Sequence, residues 1–470
     1  MNRNKYTKKS IKKLMALLFI TVFSISAMLA PTSYAISAWP SNVDIVSSSA
    51  IVMDVDSGAV LYEKDADAQY YPASITKVLT ALVALENSKL NEVVTYSADC
   101  VYKNEGNSSH IGRDLGEQMT MEESLYGMML ESANECAYAI AEHVGGGDVN
   151  KFIQMMNDKA KELGCTNSHF SNPNGLPDPT HYVSARDMAI ISRAAYQNKQ
   201  FVKICGTKSY TIPPTNKHAE PTLLNNHHAM YNYYQTNRYL YDPCLGGKTG
   251  YTVDAGATLV TYAKKNGMTL VAVTLHGDTA TYYTDNINLF NYCFDNFVAH
   301  DLSSQSATNS DNLVGKLGAL NSDNKYIMRG ESSKVILPAS ASLADTTNKL
   351  VPSTREDVAA EMQYYYGDRY VGSADLIFKK AENVPYPFHN IDAEKGGTEV
   401  KFFRIDIMLI LIILAVLAVL YVSYRLLRRK SGEILLKRKR RTDTRPRRRN
   451  KPKYTVIERN RQRNRRRRRR

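Results

Sequence analysis

Two segments, Ala257 to Lys264 and Met268 to His276, alternate along their length and are joined by Asn266-Gly267. Alternation places side chains on opposite faces of an extended chain, and Asn-Gly accepts the positive φ angles of a two-residue hairpin. An antiparallel hairpin is therefore expected here. Gly246-Gly247-Lys248-Thr249-Gly250-Tyr251 lies just upstream and is expected to begin a third strand. Glycines on both sides of Lys248-Thr249 let another group approach the main chain closely. A second hairpin is expected earlier, with Ala50 to Val55 as one arm, a turn at Asp56-Ser57-Gly58, and a return through Ala59 to Glu63.

Helical patterns separate these hairpins. Tyr71 to Leu85 reads as a turn entering a helix, with Ile75, Val78, Leu79, Leu82 and Leu85 on one face and Pro72 in the first turn. Thr120-Met121-Glu122-Glu123 is a capping-box signal ahead of Leu125, Met128, Met129 and Leu130. Further helices are expected over Cys136 to Val144, over Asp148 to Leu163 before Gly164, and after Ser184-Ala185-Arg186-Asp187. Val93 to Tyr102 reads as strand-like or irregular, and Asn104 to Leu115 as a polar loop. Thr211 to Leu240 is polar and tyrosine-rich with little periodicity. The pair His227-His228 is expected in a loop or at the surface.

The two ends have a different character. Residues 1–35 begin with Arg3, Lys5, Lys8, Lys9, Lys12 and Lys13, continue through the uncharged run Leu14 to Leu29, and reach the small residues of Ser33-Tyr34-Ala35. That order is a secretory signal. Near the other end, Ile407 to Tyr424 carries no charged residue and Ile405 extends the run past Asp406, giving a span expected at 405–424; about 20 apolar residues suffice to cross a bilayer. Arg425, Arg428, Arg429 and Lys430 follow at once, which places the C-terminal side in the cytoplasm. A basic tail, 425–470, completes the chain and is expected to lie against anionic lipid. The formal charge of +14 belongs to these ends, and the body between them is net acidic, so total charge does not favour nucleic acid; the tail also lacks interleaved aromatic residues. The expected divisions are a signal at 1–35, a catalytic domain at 40–300, a linker at 301–311, a small β-rich domain at 312–385, a connector at 386–404, the span and the tail.

Three short patterns carry chemistry. Ser74 and Lys77 lie three residues apart, one helical turn, and a desolvated lysine can take a proton from a serine hydroxyl. Ser132-Ala133-Asn134 sets a hydroxyl and a carboxamide between two apolar helices, where polar groups must find partners. Lys248-Thr249-Gly250 offers an ammonium and a hydroxyl at a strand; the spacing of a phosphate-binding P-loop is missing. Each pattern alone is common. No histidine has metal-ligand spacing, and the six cysteines are irregularly placed with no CxxC, so no metal, cofactor or disulfide is assigned.

Taken in order behind an export signal, the three patterns match the S-x-x-K, S-x-N, K-T-G set. The chain resembles the low-molecular-mass penicillin-binding proteins, the serine-type D-alanyl-D-alanine carboxypeptidases. Asn172-Pro173-Asn174-Gly175-Leu176, His181 to Met188 and Gly247 to Thr252 extend the likeness, which runs from about Ser48 to Asn296. The resemblance implies a mixed α/β fold of the serine β-lactamase type, an antiparallel sheet flanked by helices, followed by a small C-terminal β domain. It implies Ser74 as nucleophile, Lys77 as base and Ser132 as proton relay. Asn134 would hold Lys77 and the substrate amide. Lys248 and Thr249 would receive the terminal carboxylate beside Gly250, and the main-chain N–H groups of Ser74 and Tyr251 would form the oxyanion hole. The implied substrate is the peptidoglycan stem peptide, with β-lactams as inhibitors and no cofactor. Two departures favour a carboxypeptidase over a β-lactamase: the middle motif is S-A-N, and the loop from Asn172 to Pro177 has no glutamate to serve as deacylating base. A D,D-endopeptidase using the same residues, and a penicillin sensor signalling through the span to the tail, are the alternatives.

Overall fold

The computed structural model describes residues 38–103, 108–233, 236–302, 327–330, 333–353, 355, 358–378 and 421. The signal at 1–35, most of the linker at 301–311, the connector, the span apart from Tyr421 and the tail lie outside them. Among the described residues, no helix is long and apolar enough to cross a membrane.

In chain order the body opens with strands β1 (Ser49–Asp54) and β2 (Val60–Lys64), then helix α1 (Lys77–Asn87), entered through a 3-10 turn at Ala73–Thr76. Next come β3 (Val93–Thr95), α2 (Ala98–Tyr102), β4 (Gln118–Thr120), α3 (Met121–Leu130), α4 (Asn134–Val144), α5 (Val149–Glu162), α6 (Ala185–Tyr196) and α7 (Lys199–Cys205). The hairpin β5 (Ser209–Ile212) and β6 (Thr222–Asn225) precedes β7 (Cys244–Thr252), β8 (Gly256–Lys265), β9 (Met268–Gly277) and α8 (Tyr282–Asn296). The remaining strands are β10 (Phe297–Asp301), β11 (Ile327–Arg329), β12 (Lys334–Pro338), β13 (Thr347–Pro352), β14 (Val358–Tyr366) and β15 (Arg369–Phe378).

Five strands form one antiparallel sheet in the order β2-β1-β9-β8-β7. Both expected hairpins are present: β1–β2 forms one edge, and β8–β9 lies between β1 and the outer strand β7. Asn266 and Gly267, at φ 53° and 77°, turn β8 into β9. Alternation along β1 divides the core: Ile51 and Met53 pack with α1, α3, α4 and α6, whereas Ala50 and Val52 pack with Leu289, Phe290 and Phe294 of α8. The sheet thus has helices on both faces, as the resemblance implies.

Several local expectations change. The segment Val93 to Tyr102 is half strand and half helix: Ser97 Oγ accepts the Cys100 N–H and starts α2. Lys248-Thr249-Gly250 lies inside β7, which begins at Cys244, rather than at its start. The tyrosine-rich stretch contains the hairpin β5–β6. The second sheet is antiparallel and six-stranded, in the order β10-β12-β15-β14-β13 with β11 on β15. It recruits β10, at 297–301, from ahead of the expected linker, and β14, which the sequence reading did not identify. Trp39 joins the two sheets' surroundings: its ring lies 5.0 Å from Phe297 and 6.2 Å from Tyr366, with the Arg369 guanidinium over it at 5.1 Å.

Candidate active site

Ser74 sits in the 3-10 turn before α1, just after Ala73, whose φ of 51° is unusual for a residue with a Cβ. The loop 171–177 presses on this turn. A Cβ at Gly175 would lie 1.8 Å from Ala73 O, and Gly175 itself has φ +91°. Only glycine fits. His181 clamps the same place from behind. Its Nδ1 accepts the Ser171 N–H at 3.2 Å, leaving Nε2 to donate to Thr76 Oγ1 at 2.9 Å. Burial pushes this imidazole down to about 3, so it is neutral.

Lys77, the first residue of α1, is fully buried. Its Nζ lies 2.9 Å from Ser74 Oγ, 2.7 Å from Asn134 Oδ1 and 2.7 Å from the main-chain carbonyl of Asn174. Burial holds this lysine well below the usual range; the positive charge of Lys248 adds to the effect, and Glu135 opposes it. The two carbonyl oxygens can only accept. They take both hydrogens of a neutral amine and leave its lone pair for the Ser74 hydroxyl. The arrangement can therefore draw a proton from Ser74.

Ser132 follows α3 in the left-handed region, at φ 61°. Such strain costs about 1–3 kcal/mol and persists only where surroundings enforce it. Lys248 Nζ donates to Ser132 Oγ at 3.0 Å and to its neighbour's carbonyl, Thr249 O, at 2.8 Å. Burial lowers Lys248 to about 7. β7 is the outer strand of its sheet, so one side of its main chain is open to a second extended chain. Gly250 sets how closely it meets the serine: a Cβ there would fall 2.3 Å from Thr258 Oγ1 and 2.8 Å from Ser74 N.

All three sequence patterns meet at one cleft of about 790 Å³. Ser74, Ser132, Asn134, Thr249, Gly250 and Tyr251 line it, and Lys77 and Lys248 are buried behind. Sequence reasoning missed two participants. The Asn174 carbonyl reaches Lys77 from a loop singled out in the sequence only for its likeness to the family. Both histidines lie in the loop after β6, as expected, but His228 is 1% exposed, because its ring packs where Gly247 has no Cβ and its Nε2 lies 3.0 Å from Thr261 Oγ1. His227 lines the cleft and pairs with Glu131 at 2.5 Å.

Comparison with known proteins follows the same lines. A family model described as D-alanyl-D-alanine carboxypeptidase matches residues 36–279. The carboxypeptidase DacF of Bacillus subtilis is 31% identical over 63% of this chain and 75% of its own. DacA of Haemophilus influenzae is 31% identical over 71% of this chain and 84% of its own. Among solved structures, a D-alanyl-D-alanine carboxypeptidase from Mycobacterium tuberculosis H37Rv has a TM-score of 0.50 at 33% identity, covering 55% of this chain and 95% of that one. The Streptomyces K15 DD-transpeptidase has a TM-score of 0.50 at 29% identity, covering 54% and 98%. With more than half of its length matched by the family model, this chain belongs to the D-alanyl-D-alanine carboxypeptidase family of serine hydrolases.

Proposed function

We propose that this protein is a membrane-anchored, extracytoplasmic D,D-carboxypeptidase that removes the terminal D-alanine from peptidoglycan stem pentapeptides through an acyl-enzyme on Ser74. The observation that carries the reading is the placement of Lys77 Nζ, 2.9 Å from Ser74 Oγ with two carbonyl oxygens on its other sides. Ser74 Oγ adds to the carbonyl between the two D-alanines as its proton passes to Lys77. The oxygen of that carbonyl turns towards the main-chain N–H groups of Ser74 and Tyr251, where losing one donor typically costs about 3–4 kcal/mol of barrier. Ser132, bonded to Lys248, relays a proton to the leaving amine. Lys248 and Thr249 hold the substrate carboxylate, which a fixed ammonium and hydroxyl suit. Water then releases the shortened peptide.

Anchoring rests on the sequence: an export signal at 1–35, an apolar span at 405–424 and a basic cytoplasmic tail against anionic lipid. That order puts the body outside a bacterial cell membrane. β-Lactams, which mimic the dipeptide, acylate Ser74 and stay there longer.

The test is D-alanine release by the full-length protein, in detergent, from a peptide ending in D-Ala-D-Ala. Release from the native protein and none from Ser74→Ala is the expected result. Turnover confined to cross-linked dimeric peptides would instead indicate an endopeptidase. Stable penicillin binding with no peptide turnover would indicate a sensor.

A further inference from the structure

Glu135 is a buried carboxyl that the reaction described above does not use. It is the second residue of α4, directly after Asn134, and is 3% exposed. One oxygen, Oε1, accepts the Ile111 N–H at 2.7 Å. The other, Oε2, is buried without a hydrogen-bond partner. The segment it holds passes across the start of α4. Asn134 N–H donates to Ser109 O at 2.9 Å, and Arg113 Nη2 donates to Ile111 O at 3.0 Å. Ser109 lines the cleft, and Asn134 Oδ1 is on Lys77. A single carboxyl thus ties together one wall of the cleft and the carboxamide that orients the base.

A half-satisfied carboxyl in this place is costly unless it serves a charge nearby. Lys77 is that charge. Burial favours its neutral form, it becomes an ammonium when it takes the Ser74 proton, and positive charge on Lys248 opposes that change. The groups facing Glu135 are Lys77 from α1, His110 and Arg113 from the segment it holds, Tyr96 and Cys100 from β3–α2, and Cys136 on α4 itself. Of these, only Lys77 changes charge during acylation.

We propose that Glu135 is a positioning residue for acylation: it fixes Asn134 and the Ser109 wall, and its carboxylate offsets the positive charge that Lys77 acquires. The inference rests on the reading of Ser74 and Lys77 given above. During the step, the Ser74 proton moves to Lys77 Nζ as Oγ bonds to the substrate carbonyl; Glu135 gains and loses nothing. Burial raises the Glu135 carboxyl above the usual carboxylate range, which opposes its ionisation, while its bond to Ile111 and the charges of His110 and Arg113 favour it.

Glu135→Gln separates charge from shape, because an amide oxygen can still accept the Ile111 N–H. Removing the negative charge makes Lys77 harder to protonate. The acid limb of acylation, which reports the neutral base, should then move to lower pH by about one unit, the scale on which one nearby opposite charge shifts a titration. The plateau should fall by about threefold or more, because a weaker base accepts the proton less readily. A merely structural defect would lower the plateau without moving the limb acidward. The measurement is the rate of labelling by a fluorescent penicillin between about pH 5 and 9, on full-length protein, with melting temperature followed in parallel. Glu135→Asp, which keeps the charge, should keep the wild-type limb. An unmoved limb in a folded Glu135→Gln variant would overturn the proposal. If Glu135→Gln fails to fold, a limb displaced in Glu135→Asp would do so. Labelling that persists in Ser74→Ala would overturn the underlying reading instead.

Discussion

In the role proposed for Lys248, burial ties substrate binding to pH. Its ammonium is the form that attracts a carboxylate, and burial lowers it to about 7. In the free enzyme the charge is present below that value and is lost as pH rises through it. For a peptide with a free C-terminal carboxylate, kcat/KM should fall on the alkaline side with a midpoint near 7. Lys248→Arg, whose charge does not titrate in this range, should lose that limb. A steady-state pH profile checks both, and a profile that stays flat through this region contradicts the role. At this scale the sequence was most informative where side chains carry the chemistry. Ser74 with Lys77, Ser132 with Asn134, and Lys248 with Thr249 are each common patterns, but their order along one chain made them legible together. The third contact of Lys77 is a main-chain carbonyl, Asn174 O, and every residue has one, so composition could not single it out. Glu135 was equally silent: an acid at a helix start is ordinarily a surface residue, and only the chain folding over it, at Ile111, buries it.

Among elements, the site depends on two close approaches of main chain to main chain. One is β7 against the serine turn at Gly250; the other is the 171–177 loop against Ala73 at Gly175. Gly175→Ala should strain the left-handed position and push Ala73 and Ser74 away from the loop carbonyl. We expect a loss of about 2 kcal/mol or more in stability, read as a lower melting temperature, together with penicillin acylation slowed by about tenfold or more. Wild-type acylation in this variant would show that the loop does not set the serine's position. The capping box at Thr120 and the Asn266-Gly267 hairpin were legible because they are local. α8 was not identified, for a reason visible in its inward face. Asp285 accepts Ser47 N–H and Oγ–H at 2.8 and 2.6 Å, and Asn286 donates to Thr274 Oγ1 at 2.9 Å. These polar residues are buried because of partners distant in sequence, and they interrupt the apolar stripe that marks a helix. β14 joins a sheet whose other strands come from both ends of a long interval, so its Val358–Tyr366 pattern gains meaning only once β13 and β15 flank it.

For the whole molecule, the division of charge and hydropathy along the chain matters more than its totals. An acidic body between two basic ends is the distribution that the proposed exported, membrane-tied enzyme would carry, and the sum of +14 is no argument for nucleic acid. Within the described residues the second sheet is fixed to the body through Trp39 and polar contacts. Arg369 reaches Glu63 at 3.2 Å, Tyr370 Oη donates to Ser57 O at 3.1 Å, and Lys334 pairs with Asp56. None of these groups lines the cleft, so the chemistry is confined to one body built around β7 and the serine turn. The proposed chemistry turns on an acyl bond to one oxygen, Ser74 Oγ. The most direct measurement is mass-spectrometric mapping of the full-length protein after brief exposure to penicillin. One adduct is expected, on the peptide carrying Ser74 and on Ser74 itself, absent in Ser74→Ala and slowed by orders of magnitude in Lys77→Met. An adduct on any other residue, or one that forms at the native rate without Lys77, would contradict it.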